Sequence, residues 1–253
     1  MRVLCLVTLP TLGAGNRMRI EQFAPVFREW GIELEISRFF DDDAYAVLYQ
    51  PGHFRTKAWG VVRGILRRVR DLFRVRRYDL VFLYREWAPL GPPIFERMLR
   101  LLGVPYAYDL DDALFLRPIH PANRRWAWLR PTSRVVDSTR LASAVIAGNE
   151  YLADWARQRN ANVTTIPTVV DTERFVPRPP RRPGGPVVIG WTGSSTTAPY
   201  LRLLDMPLEI VASRHDIVFR VIWSSGNTKC GADCQQVDFD PTNGSSGVVQ
   251  ASG

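Results

Sequence analysis

The feature that most narrows the fold is the alternation of short apolar runs with helical periods over the first 173 residues. Residues 2–9 (RVLCLVTL) form an apolar run. Ile20, Phe23, Phe27 and Trp30 then recur at helical spacing over 20–30, closed by Gly31 where a C-terminal cap belongs. Residues 32–39 alternate as a strand, and 78–85 (YDLVFLYR) read as a more buried one. PPIFERMLRLLG opens with proline and ends with glycine, the punctuation of a helix, and PYAYDLDD follows as the next strand. SAVIAG, NEYLADWARQRN and VTTIPTVV continue as strand, helix and strand. Each step needs a crossover, so the expected class is α/β: a doubly wound, Rossmann-like parallel sheet with helices on both faces.

The alternation stops at RFVPRPPRRPGGP, residues 174–186, where five prolines and two glycines make a semi-rigid spacer. Beyond it, 187–222 hold one strand, helix and strand: VVIGWTG, an amphipathic stretch through Leu201, Leu204, Leu208 and Val211, and IVFRVI. One such unit cannot cover both faces of its own sheet, so it reads as the incomplete start of a second Rossmann-like domain. Residues 223–253 differ again. All 31 arginines precede them, although about four would be expected in a stretch of that length. Rich in Gly, Ser, Asn and Gln and without a regular period, this segment predicts no element. It is expected to be either the product of a lost reading frame or a flexible tail.

The net charge of +8 comes almost wholly from arginine, since Lys57 and Lys229 are the only lysines. That balance suits an anionic partner; no recognised reading module accompanies it, so nucleic acid is not expected. Three cysteines make no disulfide framework, and no run approaches the roughly 18 apolar residues of a membrane span. The expected setting is cytoplasmic, with a peripheral place on the inner face of the membrane open through residues 55–77. There Trp59, Val62, Ile65, Leu66, Val69, Leu72 and Phe73 share one helical face, with Arg63, Arg67, Arg70, Arg74 and Arg77 largely off it. Such a stripe belongs either to a helix packed on the core or to one lying on anionic lipid.

Four motifs could carry chemistry. GAGNRMR (13–19) follows the first strand and nearly matches a dinucleotide fingerprint, but Met18 stands where a third glycine should be. It reads either as a plain turn into a helix or as glycines Gly13 and Gly15 admitting a ligand to the backbone, with Asn16 beside them and Arg17 supplying charge. YDLDDALF ends a strand at the edge where parallel sheets bind ligands. Asp109, Asp111 and Asp112 can accept hydroxyl hydrogen bonds there, or cap a helix and pair with arginines. Asn149 of AGNEYLADWA stands between strand and helix, the place of an N-cap. Finally, VVIGWTGSSTTAPYL reads as a strand feeding a phosphate loop through Gly193, Ser194 and Ser195. Ligands for a metal are scarce, and none is expected.

Taken in order, the glycine loop, the aspartate cluster, AGNEYLADWA, IPTVVDTERF and IGWTGSSTTAPYL resemble glycosyltransferase family 4 enzymes of the GT-B fold. The resemblance covers residues 1–222. It implies a retaining sugar transfer from a nucleotide-sugar to the hydroxyl of a sugar or lipid-linked acceptor, without cofactor or metal. It places Gly13, Gly15, Asn16, Arg17 and Asn149 by the cleft, Asp111 and Asp112 as catalytic residues on its acceptor side, and Gly193, Ser194 and Ser195 at the donor diphosphate. Aspartates stand where many members have a histidine, and the family's donor-side basic residue and paired glutamates have no counterpart here. The chain is therefore expected to be an inactive fragment. The alternative is a non-catalytic, arginine-rich Rossmann-like module for a phosphate-bearing or membrane ligand.

Overall fold

The computed structural model describes all residues except 12, 49, 51, 90, 117–132, 178–184, 195–197, 225–233 and 240–253. The chain divides into two units, Met1–Phe175 and Val176–Gly253.

Six strands form the sheet of the first unit: β1 (Arg2–Val7), β2 (Glu33–Arg38), β3 (Leu80–Tyr84), β4 (Tyr106–Leu110), β5 (Ala144–Ala147) and β6 (Val163–Thr165). Their order is β2-β1-β3-β4-β5-β6, and every pair is parallel. The period-two alternation sends Leu4, Leu6, Val81 and Leu83 into one buried cluster and Val3, Cys5 and Val7 into another, so both faces are covered, as the doubly wound class requires. Burial pushes the Cys5 thiol up to about 12, which leaves it an inert apolar filler.

Between these strands lie α1 (Ala14–Arg19), α2 (Ala24–Glu29), α3 (Asp42–Leu48), α4 (Phe54–Arg74), α5 (Ile94–Leu101), α6 (Ser133–Leu141) and α7 (Glu150–Arg157). Over 20–30, where a single helix is expected, a short 3-10 turn, Glu21–Phe23, leads into α2, which starts only at Ala24. Pro25 explains the break: it lacks the N–H a continuous helix would use there and instead sits in the first turn of α2. Gly31 does end α2, at φ +70, with Gly31 N donating to Arg28 O and Ile32 N to Phe27 O.

Of the two arrangements open for the helix over 55–77, α4 does not adopt the core-packed one. Apart from Leu72, which packs against the core, its apolar stripe faces outward: Trp59, Leu66 and Phe73 are 56%, 61% and 86% exposed. The face turned inward is Gly60, Gly64, Arg68 and Asp71. A Cβ at Gly64 would stand 2.4 Å from the Phe39 ring, and one at Gly60 2.7 Å from Ala44 Cβ, so the helix approaches the domain more closely than any larger residue allows. Arg68, wholly buried, donates from Nε to Trp87 O (2.7 Å) and from its terminal nitrogens to Val7 O (2.7 Å), Ser37 O (3.2 Å) and Asp71 Oδ2 (3.1 Å). Burial pulls its guanidinium down to about 10, still protonated at neutral pH.

In the second unit, β7 (Val187–Ser194) pairs in parallel with β8 (Ile217–Ser224), linked by a 3-10 stretch, Ala198–Leu204, and α8 (Asp205–Ala212). A third strand, β9 (Cys234–Phe239), runs antiparallel on β8, with Ser224 opposite Cys234 and Phe219 opposite Phe239. This corrects the expectation of no regular element after Ile222. Val237 and Phe239 alternate with polar residues, and the free edge of β8 offers unpaired backbone groups for them to meet.

Candidate functional site

The strand order fixes where a site can form. From β1 the chain steps outward to β2 and then returns across β1 to β3, so the order reverses between β1 and β3. In open parallel sheets ligands bind outside the carboxyl ends at such a reversal. Here the two strand ends are tied together: Thr8 Oγ1 donates to Glu86 O (2.9 Å), and Arg68 spans Val7 O and Trp87 O.

Three segments converge on this edge. Tyr84 closes β3, and its hydroxyl donates to Asp111 Oδ2 (2.6 Å). Arg85 follows with a left-handed backbone (φ +62), a conformation costing a non-glycine residue about 1–3 kcal/mol. Its N–H donates to Asp109 O (3.0 Å), and its side chain forks onto Asp111, Nε to Oδ1 at 2.7 Å and a terminal nitrogen to Oδ2 at 2.8 Å. The same terminal nitrogen lies 2.7 Å from Asp112 Oδ2. Gly15 packs against the Tyr84 hydroxyl, since a Cβ there would lie 2.2 Å from that oxygen. The loop before α7 closes in from the other side: a Cβ on Gly148 would lie 3.2 Å from Asp111 Cα.

Burial acts to raise the Asp111 carboxyl, but Arg85 and the Tyr84 hydroxyl outweigh it and hold the group below the usual carboxylate range. A depressed carboxylate stabilises the fold above its unfolded pKa, near about 3.9, and that contribution is lost as pH falls through the folded value. Asp111→Asn is therefore expected to flatten the acid limb of the stability curve below about pH 4 while lowering stability at neutral pH. Urea midpoints across that range test this; parallel acid limbs would refute it.

Beneath lies a second pair. Arg19, the last residue of α1, donates to both oxygens of buried Asp109 and, at 2.7 Å, to Ile166 O. Burial works against the charge on Arg19, but the Asp109 carboxylate outweighs it and holds the guanidinium above its ordinary value.

The sequence-predicted residues thus fall into groups. Gly15, Asp111 and the loop carrying Asn149 meet at the sheet edge, with Asp112, its side chain about half exposed, on the outer side. Gly13 is the N-cap residue of α1. Asn16 donates its amide back to Leu9 O and Pro10 O, leaving Oδ1 buried without a partner. Arg17 donates to Thr11 O (2.8 Å) and borders a groove of about 350 Å³ that it shares with Glu21, Gln22, Asp171 and Arg174 but not with Asp109, Asp111 or Asp112. Asn149 caps α7, its Oδ1 accepting from Leu152 N (3.0 Å). Gly193 and Ser194 end β7 opposite Trp223 and Ser224, and Ser195 lies outside the described residues. Tyr84 and Arg85 were not singled out from sequence, although their place at the end of an apolar run was a usable signal.

Comparison with known proteins adds fold-level likeness only. No family model matches the chain, and no curated protein does. Among solved structures it is similar to the S. aureus MnaA–UDP co-structure (9% identity, TM-score 0.49), covering 88% of this chain and 62% of that one. It is also similar to Os79 from O. sativa in complex with UDP (14%, TM-score 0.44; 88% and 66%) and to Glycyrrhiza uralensis UGT73P12 with glycyrrhetinic acid 3-O-monoglucuronide (12%, TM-score 0.43; 92% and 64%). The chain spans less than two thirds of the length of each of them.

Proposed function

We propose that this chain is the acceptor-side domain, with the opening of the donor-side domain, of a retaining GT-B glycosyltransferase of family 4 type. It would move a sugar from a nucleotide-sugar to a sugar or lipid-linked hydroxyl. The observation that carries the reading is the cluster at the strand-order reversal, where Arg85 clamps two aspartates beside the glycine turn of α1. In this reading Asp111 is held rigid by Arg85 and Tyr84 and acts as a fixed negative wall. Asp112, still open to solvent, accepts the hydrogen bond of the incoming hydroxyl. Gly193, Ser194 and Ser195 are assigned to the leaving diphosphate, whose charge backbone N–H groups and basic side chains would neutralise.

The test separates binding from folding. Asp112→Asn removes an exposed charge, so the thermal midpoint should hold while affinity for glycoside or lipid-linked acceptors, read by ligand-observed NMR, falls about tenfold, the loss of one charge-assisted hydrogen bond. Acceptor binding that survives both Asp112→Asn and Asp111→Asn overturns the assignment. With nucleotide-sugar and acceptor together, nucleotide release should be absent in this chain and present in one carrying a complete donor domain.

A further inference from the structure

The outward face of α4 is explained neither by the fold nor by the sugar-transfer reading, and the inference from it does not rest on that reading. Trp59, Val62, Ile65, Leu66, Val69 and Phe73 lie opposite Gly60, Gly64, Arg68 and Asp71 at about 100° per residue, forming an apolar ridge in contact with water. Monomeric proteins seldom leave so continuous an apolar surface unused. The charge along it has one sign. Residues 54–77 contain nine basic residues and one acid, Asp71, which is buried and paired with Arg68. Arg63 and Arg67 turn to Asp41, and Arg74 to Glu35. Arg55, Arg70, Arg76 and Arg77 are exposed and have no carboxylate partner among the described residues.

We propose that α4 lies flat on an anionic membrane surface, its ridge entering the headgroup–acyl boundary and its arginines reaching lipid phosphates. The charge pattern selects this occupant. A second copy of the chain docked ridge to ridge would set two rows of arginine against each other, with no acid on the ridge to answer them. An anionic bilayer supplies apolar depth and negative charge together, and arginine can extend its stem along the ridge while its head reaches phosphate. The inward face needs no further partner, because Gly60, Gly64 and Arg68 already seat the helix on the domain.

The experiment is co-sedimentation of the full chain with phosphatidylcholine vesicles, with and without phosphatidylglycerol, over a salt series. The chain should bind only the anionic vesicles, and binding should weaken with salt. Leu66→Asp with Phe73→Asp should abolish binding, and Arg70→Glu with Arg76→Glu should weaken it at least about tenfold. All four positions are solvent-facing, so circular dichroism and thermal midpoints should stay at wild-type values; a fall in either for both double variants moves the test to Val62→Asp and Arg55→Glu. Equal binding to neutral vesicles, no binding to anionic ones, or a lipid-free dimer that Leu66→Asp dissolves overturns the proposal.

Discussion

Arg68→Leu is expected to destabilise the first unit by about 3–5 kcal/mol, although it replaces a charge with an apolar residue inside the protein. The reason is what the guanidinium leaves behind. Asp71 stays buried with, among the described residues, only the Ser37 hydroxyl (2.5 Å) as donor, and the carbonyls of Val7 and Trp87 lose a donor where two strand ends meet. Arg68→Lys should recover little, because a single ammonium cannot reproduce a planar fork that reaches three segments. Against a total stability of about 5–15 kcal/mol, such a loss leaves the domain marginal. Urea denaturation is the direct measurement, and a midpoint within error of wild type for Arg68→Leu would show that the buried guanidinium is dispensable.

Asp109→Ala should cost a similar amount, about 3–5 kcal/mol, because Arg19 is left almost fully buried and uncompensated. The informative control is the double replacement Arg19→Met with Asp109→Leu, which removes both charges and should restore most of the loss. If the double variant were as unstable as the single one, the pair would matter for its hydrogen bonds to the surrounding backbone, Ile166 O above all, rather than for charge balance.

These two arginines mark where the sequence could and could not be read. The strands were legible because period-two alternation and glycine or proline punctuation are local signals. Asp111 and Asp112 were legible as a strand-end cluster for the same reason. Tyr84 and Arg85 were legible as residues at a strand end, but which strand ends become neighbours depends on the order β2-β1-β3-β4, which no local pattern encodes, so their partners were not. The left-handed backbone of Arg85 is likewise a tertiary imposition on a residue with no preference for it. For α4 the period was legible and the direction of its faces was left open. Hydrophobic spacing shows that a helix has two unlike faces, not which one the domain keeps. The clue was present in Gly60, Gly64 and Arg68, spaced four apart, since two glycines on one stripe mark a close approach.

The inversion of α4 also bears on how this chain can change over evolutionary time. Positions 60, 64, 68 and 71 are pinned by packing geometry, so drift there is removed by misfolding whatever the protein does. Positions 62, 66, 69 and 73 carry no such burden, and a helix that met only water would let them wander to polar residues within a few substitutions. One helix thus keeps two separate records, an inner one of what the fold requires and an outer one of what the surroundings have demanded.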